Sequence, residues 1–442
     1  MDSHISIHRK RGKVLGVYEL IAIAVGGMVG GGIFTVLGIS VSLVGAYTPF
    51  AIAIGGVVAM LAAYNYVKLG VYFKDEGATY SFYKKTFPST PFAASLIGWW
   101  VIFGYISTLA LYAYTFSSYS ISSFSFAHNE LIRKAIAGAI IMLFALINIW
   151  SVKGMGRVED LMVYTKMVIL TIISILLIYH SDTTLPVLLH NNHQTTAFSI
   201  IIVASLTFVA YEGFQLVINA VNEMKNPDLN IPRAIYGAII LVILIYFIIS
   251  LGAVLSIPFK EIIDNKEYAL AAGAKEIMGN LGANLVIAGA LLATSSAISG
   301  TLFGSSRQVA VIARDGYFPK FLSLRRGSIP VYAIITMSVL SFSLIAMGNL
   351  EVILEFGSIT FILVSWLMAF ANLKIRDKTN SSLIIIIVSL LGLFTAASLI
   401  VYYEINSDIK QIYSTGIIYF VLTLGAWLYS KFKKVSENVH TK

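Results

Sequence analysis

The sequence predicts an all-α integral membrane protein with twelve transmembrane helices. Its composition, the length of its apolar runs and two matched interruptions within those runs carry that expectation. Of 442 residues, 57% are hydrophobic and 12% charged, and the mean hydropathy is +0.82. A soluble domain carries about twice that share of charge, and cores of ordinary size cannot hide so much apolar surface. Most of the chain is therefore expected to face lipid. No A-x-A site follows the basic stretch at residues 9–13, so the first apolar run reads as a retained span and not a cleaved signal. The lack of cysteine excludes a disulfide frame and a thiolate metal site.

Apolar runs bounded by polar, proline or glycine punctuation place the spans at 17–44, 48–73, 90–123, 132–151, 159–180, 196–221, 233–257, 281–313, 329–347, 351–373, 382–402 and 412–431. Their apolarity is continuous, whereas barrel strands would alternate at period two. With the amino terminus inside, and span-end residues counted with the adjoining loop, the inner segments hold 22 Lys and Arg and the outer ones 6. Lys68, Lys166 and Arg307 fall within spans. This asymmetry places both termini in the cytoplasm. The net charge of +9 then records topology and contact with anionic lipid, so no nucleic-acid partner is expected. His4, His8, His128, His190 and His193 fall in tails or outer loops, His180 at a span end and His440 in the tail, with no ligand spacing among them. No Walker loop, metal-ligand motif or nucleophile–base arrangement is present, so no enzyme, metal or cofactor is expected.

The first span contains Gly26-Gly27-Met28-Val29-Gly30-Gly31-Gly32, five glycines in seven residues near mid-membrane depth. Each lowers helix stability by about 1 kcal/mol, so the stretch can unwind. Freed backbone groups are tolerable in a bilayer only around a protein-lined polar cavity. The sixth span carries Phe208-Val209-Ala210-Tyr211-Glu212-Gly213-Phe214-Gln215, again with a glycine and a carboxylate near its middle. Interruptions at equivalent places in two halves point to an inverted-repeat transporter with its site at the midplane. The half-helix after the first break offers the N–H groups of Gly30, Gly31 and Gly32 at a positive dipole end, which suits a carboxylate. Free carbonyls around Met28, Val209 and Glu212 suit an ammonium. A zwitterion of amino-acid size satisfies both. Glycines also serve simply to let helices approach, a reading that the second break disfavours.

Lys166 lies inside the fifth span, about seven residues past Glu159-Asp160. A lipid-facing lysine there costs roughly 2.5–3.5 kcal/mol, so it is expected to face the bundle. Burial disfavours a charged amine, which allows proton exchange near neutral pH. Its expected partners are the Gly26 carbonyl and the hydroxyls of Thr294, Ser295 and Ser296 in the eighth span. A permanently charged lysine, paired with a carboxylate or snorkelling inward, is the open alternative. Glu212 is a rival proton carrier, or else a structural cap. Asn65, Asn148, Asn219 and Asn372 read as interhelical bonds.

The same residues resemble a known family. Residues 23–34 are similar to the first-helix motif of amino acid–polyamine–organocation transporters. Residues 208–214, followed by Asn222-Glu223-Met224-Lys225-Asn226-Pro227 and Ile231-Pro232-Arg233-Ala234, resemble that family's sixth helix and the loop after it. Glu76-Gly77-Ala78-Thr79-Tyr80 is similar to its first inner loop, and residues 313–319 to the loop after its eighth helix. Gly156-Arg157-Val158-Glu159 followed by Lys166 has the spacing seen in a proton-coupled prokaryotic branch. The resemblance implies a LeuT-like five-plus-five inverted repeat, with repeats at 17–180 and 196–373, two extra helices at 382–431, and tails at 1–16 and 432–442. It implies amino-acid uptake at the inner membrane by alternating access, with Lys166 in the place of a sodium ion. Substrate contacts are expected from Met28, Gly30, Gly31, Gly32, Phe208, Val209, Tyr211 and Glu212, and proton coupling from Lys166, Gly26, Ser295 and Ser296. Val209 stands where the family usually has an aromatic gate, a role that Phe208 or Tyr211 would then take.

Prolines 227 and 232 read as rigid turns before the seventh span. Residues 183–196 read as a solvated outer loop, and 260–276 as a short amphipathic helix on the outer surface. Spans eleven and twelve read as packing or oligomer contacts. The rival functions are an exchanger or sodium-coupled carrier on the same fold, and a membrane sensor that binds amino acids without moving them.

Overall fold

Glycine and proline punctuation sets where the helices start and stop. The computed structural model describes residues 15–150, 155–181, 183–191, 195–327, 329–407 and 409–440. Residues 9–13 with their basic side chains, His4, His8 and His193 lie outside these, as do the side chains of Arg157, Glu159 and the tail from 432. The described residues form helices α1 (Val17–Met28), α2 (Gly32–Val44), α3 (Thr48–Phe73), α4 (Ala78–Thr86), α5 (Pro91–Ile121), α6 (Glu130–Trp150), α7 (Met155–Tyr179), α8 (Leu185–Asn191) and α9 (Ala197–Leu206). After them come α10 (Leu216–Asn219), α11 (Pro227–Ser256), α12 (Phe259–Asp264), α13 (Ala269–Arg314), α14 (Val331–Met347), α15 (Leu350–Lys374), α16 (Arg376–Thr379), α17 (Leu383–Ser407) and α18 (Ile409–His440). Among the described residues no strand forms, only isolated bridges at Leu15–Met224 and Arg326–Ile329.

Among the described residues ten helical stretches are long and apolar enough to cross a membrane, and Val17–Met28 and Val331–Met347 are shorter apolar helices. Large apolar side chains stand exposed along α17 and α18, among them Ile384, Leu391, Phe394, Ile417 and Phe420. A continuous exposed apolar surface of this kind belongs against lipid or another protein. Inside, α5 is the axle: it packs on α13, α15, α18, α6 and α14. On the other side α11 packs on α3, α1 and α7.

Three loop expectations change. Prolines 227 and 232 lie inside α11, not ahead of it. Pro227 opens the first turn, where its missing N–H costs nothing, while Pro232 lies farther in, as a proline inside the helix. The segment expected as a solvated loop forms α8 over Leu185–Asn191. The segment 260–276, expected as one short helix, holds two pieces, α12 and the first turns of α13, which bends where Gly279 takes φ 66° and ψ −160°.

Candidate functional site

The first span breaks at residues 29–31, between α1 and α2, and the sixth passes from α9 through a 3-10 turn (Thr207–Tyr211) to the extended Glu212 before α10. The two breaks lie back to back. Gly213 has φ +125°, and a methyl group on it would stand 2.6 Å from the Gly27 carbonyl carbon and 2.8 Å from the Met28 nitrogen. One on Gly32 would stand 2.8 Å from the Ala210 Cα. Only residues without side chains allow that approach.

A helix leaves its last four carbonyls unpaired, and at the end of α1 each one has a side-chain partner from another helix. Lys166 of α7 donates to Gly26 O (2.9 Å) and Val29 O (2.6 Å). Tyr112 of α5 donates to Gly27 O at 3.2 Å. Tyr246 of α11 donates to Met28 O at 2.8 Å and reaches Ala210 O of the second break at 3.1 Å. Lys166 is fully buried and also donates to Ser296 Oγ of α13 at 3.0 Å, while that hydroxyl donates to Ala293 O. The ammonium thus sits at the negative end of the α1 dipole and ties α7, α1 and α13 together.

Of the residues expected around Lys166, Gly26 and Ser296 meet it. Thr294 instead donates to Ala290 O and Leu291 O, and Ser295 is half-buried beside Ser296. At the start of α2, Gly30 N donates to Met28 O at 2.9 Å. Gly31 and Gly32 find no backbone or side-chain acceptor for their N–H groups among the described residues. Of the carbonyls expected to be free, Met28 O has partners, and Val209 O accepts from Glu212 N at 3.1 Å.

In the second break the buried Glu212 carboxylate accepts from Gln215 Nε2 at 2.8 Å, and Gly213 N donates to Gln215 Oε1 at 3.1 Å. Val209 is wedged against Gly357 of α15, whose neighbour Ser358 faces Val209 N. Phe208 is fully buried, and Tyr211 sends its hydroxyl to Ile52 O of α3 at 2.8 Å. A cavity of about 20 Å³ lies beside the second break, lined by Gly27, Tyr105, Tyr112, Glu212, Gly213 and Gln215 among others. That is room for roughly one water, so an amino acid enters only if the surrounding helices part. Of the residues expected to touch substrate only Glu212 lines it, and Met28, Gly30, Gly31, Gly32, Phe208, Val209 and Tyr211 do not. Asn65 and Asn372 join α3 to α15 at 3.1 Å, Asn219 lines the cavity, and Asn148 donates within its own helix to Phe144 O.

At one end of the molecule the loop motifs meet. Asp315 accepts from Tyr80 and Lys84, Asn222 bonds Glu76, and Lys74 pairs with Asp228. Leu15 and Lys225 exchange backbone bonds with Glu223 and Leu15. Asp75 pairs with Lys85: burial alone would raise its carboxyl, but the Lys85 and Gly77 N–H bonds outweigh burial and hold it below the usual range. Burial and the bond to Asp315 raise the Tyr80 phenol.

A bundle of apolar helices with two interrupted members packed back to back is the frame of a membrane carrier. A family model described as amino acid permease matches residues 15–427, and the chain belongs to that family, within the amino acid–polyamine–organocation superfamily. Its members are transporters, not enzymes. An uncharacterized protein of Methanocaldococcus jannaschii is 27% identical over 405 residues, 89% of this chain and 90% of the relative. The inner membrane transport protein YbaT of Escherichia coli is 28% identical, over 86% of this chain and 87% of its own. The branched-chain amino acid permease BcaP of Bacillus subtilis is 24% identical, over 79% of each.

Sequence reasoning did not single out Tyr112, Tyr246, Gln215 or the Val29 carbonyl. The chain holds 24 tyrosines, and nothing local marks the two that cap α1.

Proposed function

We propose that the protein is a proton-coupled amino-acid transporter of the inner membrane, with twelve spans, two inverted repeats of five, and both termini cytoplasmic. The observation that carries the proposal is the buried Lys166 ammonium, bonded at once to two carbonyls of the α1 break and to Ser296 of α13. Charge-assisted bonds are each worth about 1.5–3 kcal/mol. Loss of the proton removes that charge, so α1 is held less firmly against α7 and α13. The two protonation states then differ in the conformation they favour, which coupling requires.

Substrate binds when the breaks separate. Its carboxylate takes the N–H groups of Gly31 and Gly32, with Gly30 joining once it leaves Met28 O. Its ammonium replaces the Tyr246 hydroxyl on Met28 O and Ala210 O, and Glu212 lines the space beside it. Rocking of the helices exposes substrate and Lys166 to the cytoplasm, where lower proton activity drains the proton. Amino-acid permease relatives and the opposed breaks support this reading. Uptake into proteoliposomes tests it: Lys166→Ala is expected to remove the pH dependence of uptake. A full pH response in that variant refutes the mechanism.

A further inference from the structure

The Lys166 mechanism leaves a second buried ionisable group unused, at the end of the molecule where α15 begins and α17 ends. Glu404, in the last turn of α17, is 1% exposed, and its Oε2 is buried with no hydrogen-bond partner among the described residues. Facing it from α18 is Thr415, whose Oγ1 is likewise buried and unpartnered. An ionised carboxylate is acceptor-only, and an oxygen left empty in a lipid-surrounded interior is the costly case. A carboxylic acid has an O–H to direct at the threonine oxygen.

The groups packed nearby are also acidic. Glu355 of α15 is 5% exposed, and the charges of Glu404 and Glu351 both bear on it. Glu351 lies one turn before Glu355 and pairs with Lys266, so that ammonium is already engaged. Among the described residues, Tyr403 of α17 and Tyr419 of α18 are further titratable groups at this face, and Tyr419 is bonded to Thr360. No group of three or more acidic or histidine side chains suited to a metal ion occurs among the described residues, which favours a proton over a metal cation.

We propose that Glu404 and Thr415 form a proton-binding site between α15, α17 and α18, separate from Lys166, in which Glu404 is held as the neutral acid. The site has a route to the rest of the bundle. A charge appearing on Glu404 repels Glu355 and disturbs α15 where Glu351 holds Lys266, and the Lys266 backbone lies directly against Gly38 of α2.

Infrared spectroscopy of the purified full chain in lipid nanodiscs tests the site without measuring transport. The carbonyl stretch of a protonated carboxylic acid is expected at neutral pH in the wild type and in Lys166→Ala. It should be unchanged when sodium replaces potassium, and lost in Glu404→Gln. Thr415→Val, which preserves shape, should shift the band to higher frequency without removing it and keeps the test valid if Glu404→Gln folds poorly. A band unmoved in both variants overturns the proposal. So does a carboxylate band at this position that responds to sodium, which would make the site one for a metal cation.

Discussion

Replacing Gly213 with alanine tests the back-to-back packing of the two breaks most directly. At φ +125° an L-residue is strained, by about 1–3 kcal/mol. The added methyl would also lie 2.6 Å from the Gly27 carbonyl carbon, 2.8 Å from the Met28 nitrogen and 3.0 Å from the Gly27 Cα. Carbon atoms sit comfortably at about 3.5–4.0 Å, and all three obstacles are backbone that cannot rotate aside. Overpacking of this kind typically costs about 1–3 kcal/mol, so the two contributions reach about 2–6 kcal/mol. Gly316→Ala supplies the comparison: its φ is +86° with no atom within 4 Å of the new methyl, which leaves only a backbone cost of about 1–2 kcal/mol. Denaturation of both variants in detergent, alongside amino-acid binding, gives the measurement. Gly213→Ala should be the less stable and should bind poorly. If it is no less stable than Gly316→Ala, the breaks do not press on one another and the geometry of the site is wrong.

Tyr246→Phe removes the hydroxyl shared by Met28 O and Ala210 O. A buried carbonyl left unpaired costs about 1–3 kcal/mol, so the ligand-free protein should lose stability in that range. Because the hydroxyl competes with a substrate ammonium, the thermal shift on adding an amino acid should grow, and an unchanged shift would show that they do not compete. Acid denaturation reports on Asp75, whose folded carboxyl is held below its usual range. Its stabilising contribution is complete above the unfolded value of about 3.9 and disappears as pH falls through the lower folded value. Asp75→Asn should flatten that part of the acid profile, and an unaltered profile would show that Lys85 and Gly77 do not hold the charge.

The long helices were legible because lipid demands long apolar runs, and the breaks because glycine-bearing interruptions fall at matching places in two spans. The meeting of Lys166 with Gly26 and Ser296 was also within reach, since a buried ammonium needs acceptors and those spans supply them. What stayed hidden depends on distant registers. Tyr112 and Tyr246 lie 85 and 218 residues from the carbonyls they bond, and each resembles any other tyrosine in an apolar span. The contact of Lys166 with Val29 O follows from the cap, where Val29 takes φ −84° and ψ 69°, an angle no residue pattern announces. Helix α8 was missed because seven residues are too few for periodicity to show. Pro227 was misread because proline marks a turn and a first helical turn equally well, and Pro232 because a proline inside a helix is the exception.

The end of α1 explains why one proton can matter to so large a bundle. Four successive carbonyls are satisfied by α7, α5, α11 and α7 again, so three helices grip one turn of backbone. None of these bonds is internal to α1, and any tilt of that helix must break several of them together. Neutralising Lys166 weakens the first and last. On the proposed mechanism an arriving ammonium displaces the Tyr246 hydroxyl from Met28 O, which lies between them. Proton loss and substrate binding would then act on different members of the same row of acceptors, each lowering the cost of the movement that the other begins. On this reasoning Lys166→Ala and Tyr246→Phe should not add: sharing one turn of helix, their combined effect on the stability of the ligand-free protein should fall short of the sum, by an amount within the 0.5–3 kcal/mol range usual for coupled neighbours, roughly. Strict additivity would mean that the two grips act on independent parts of the fold.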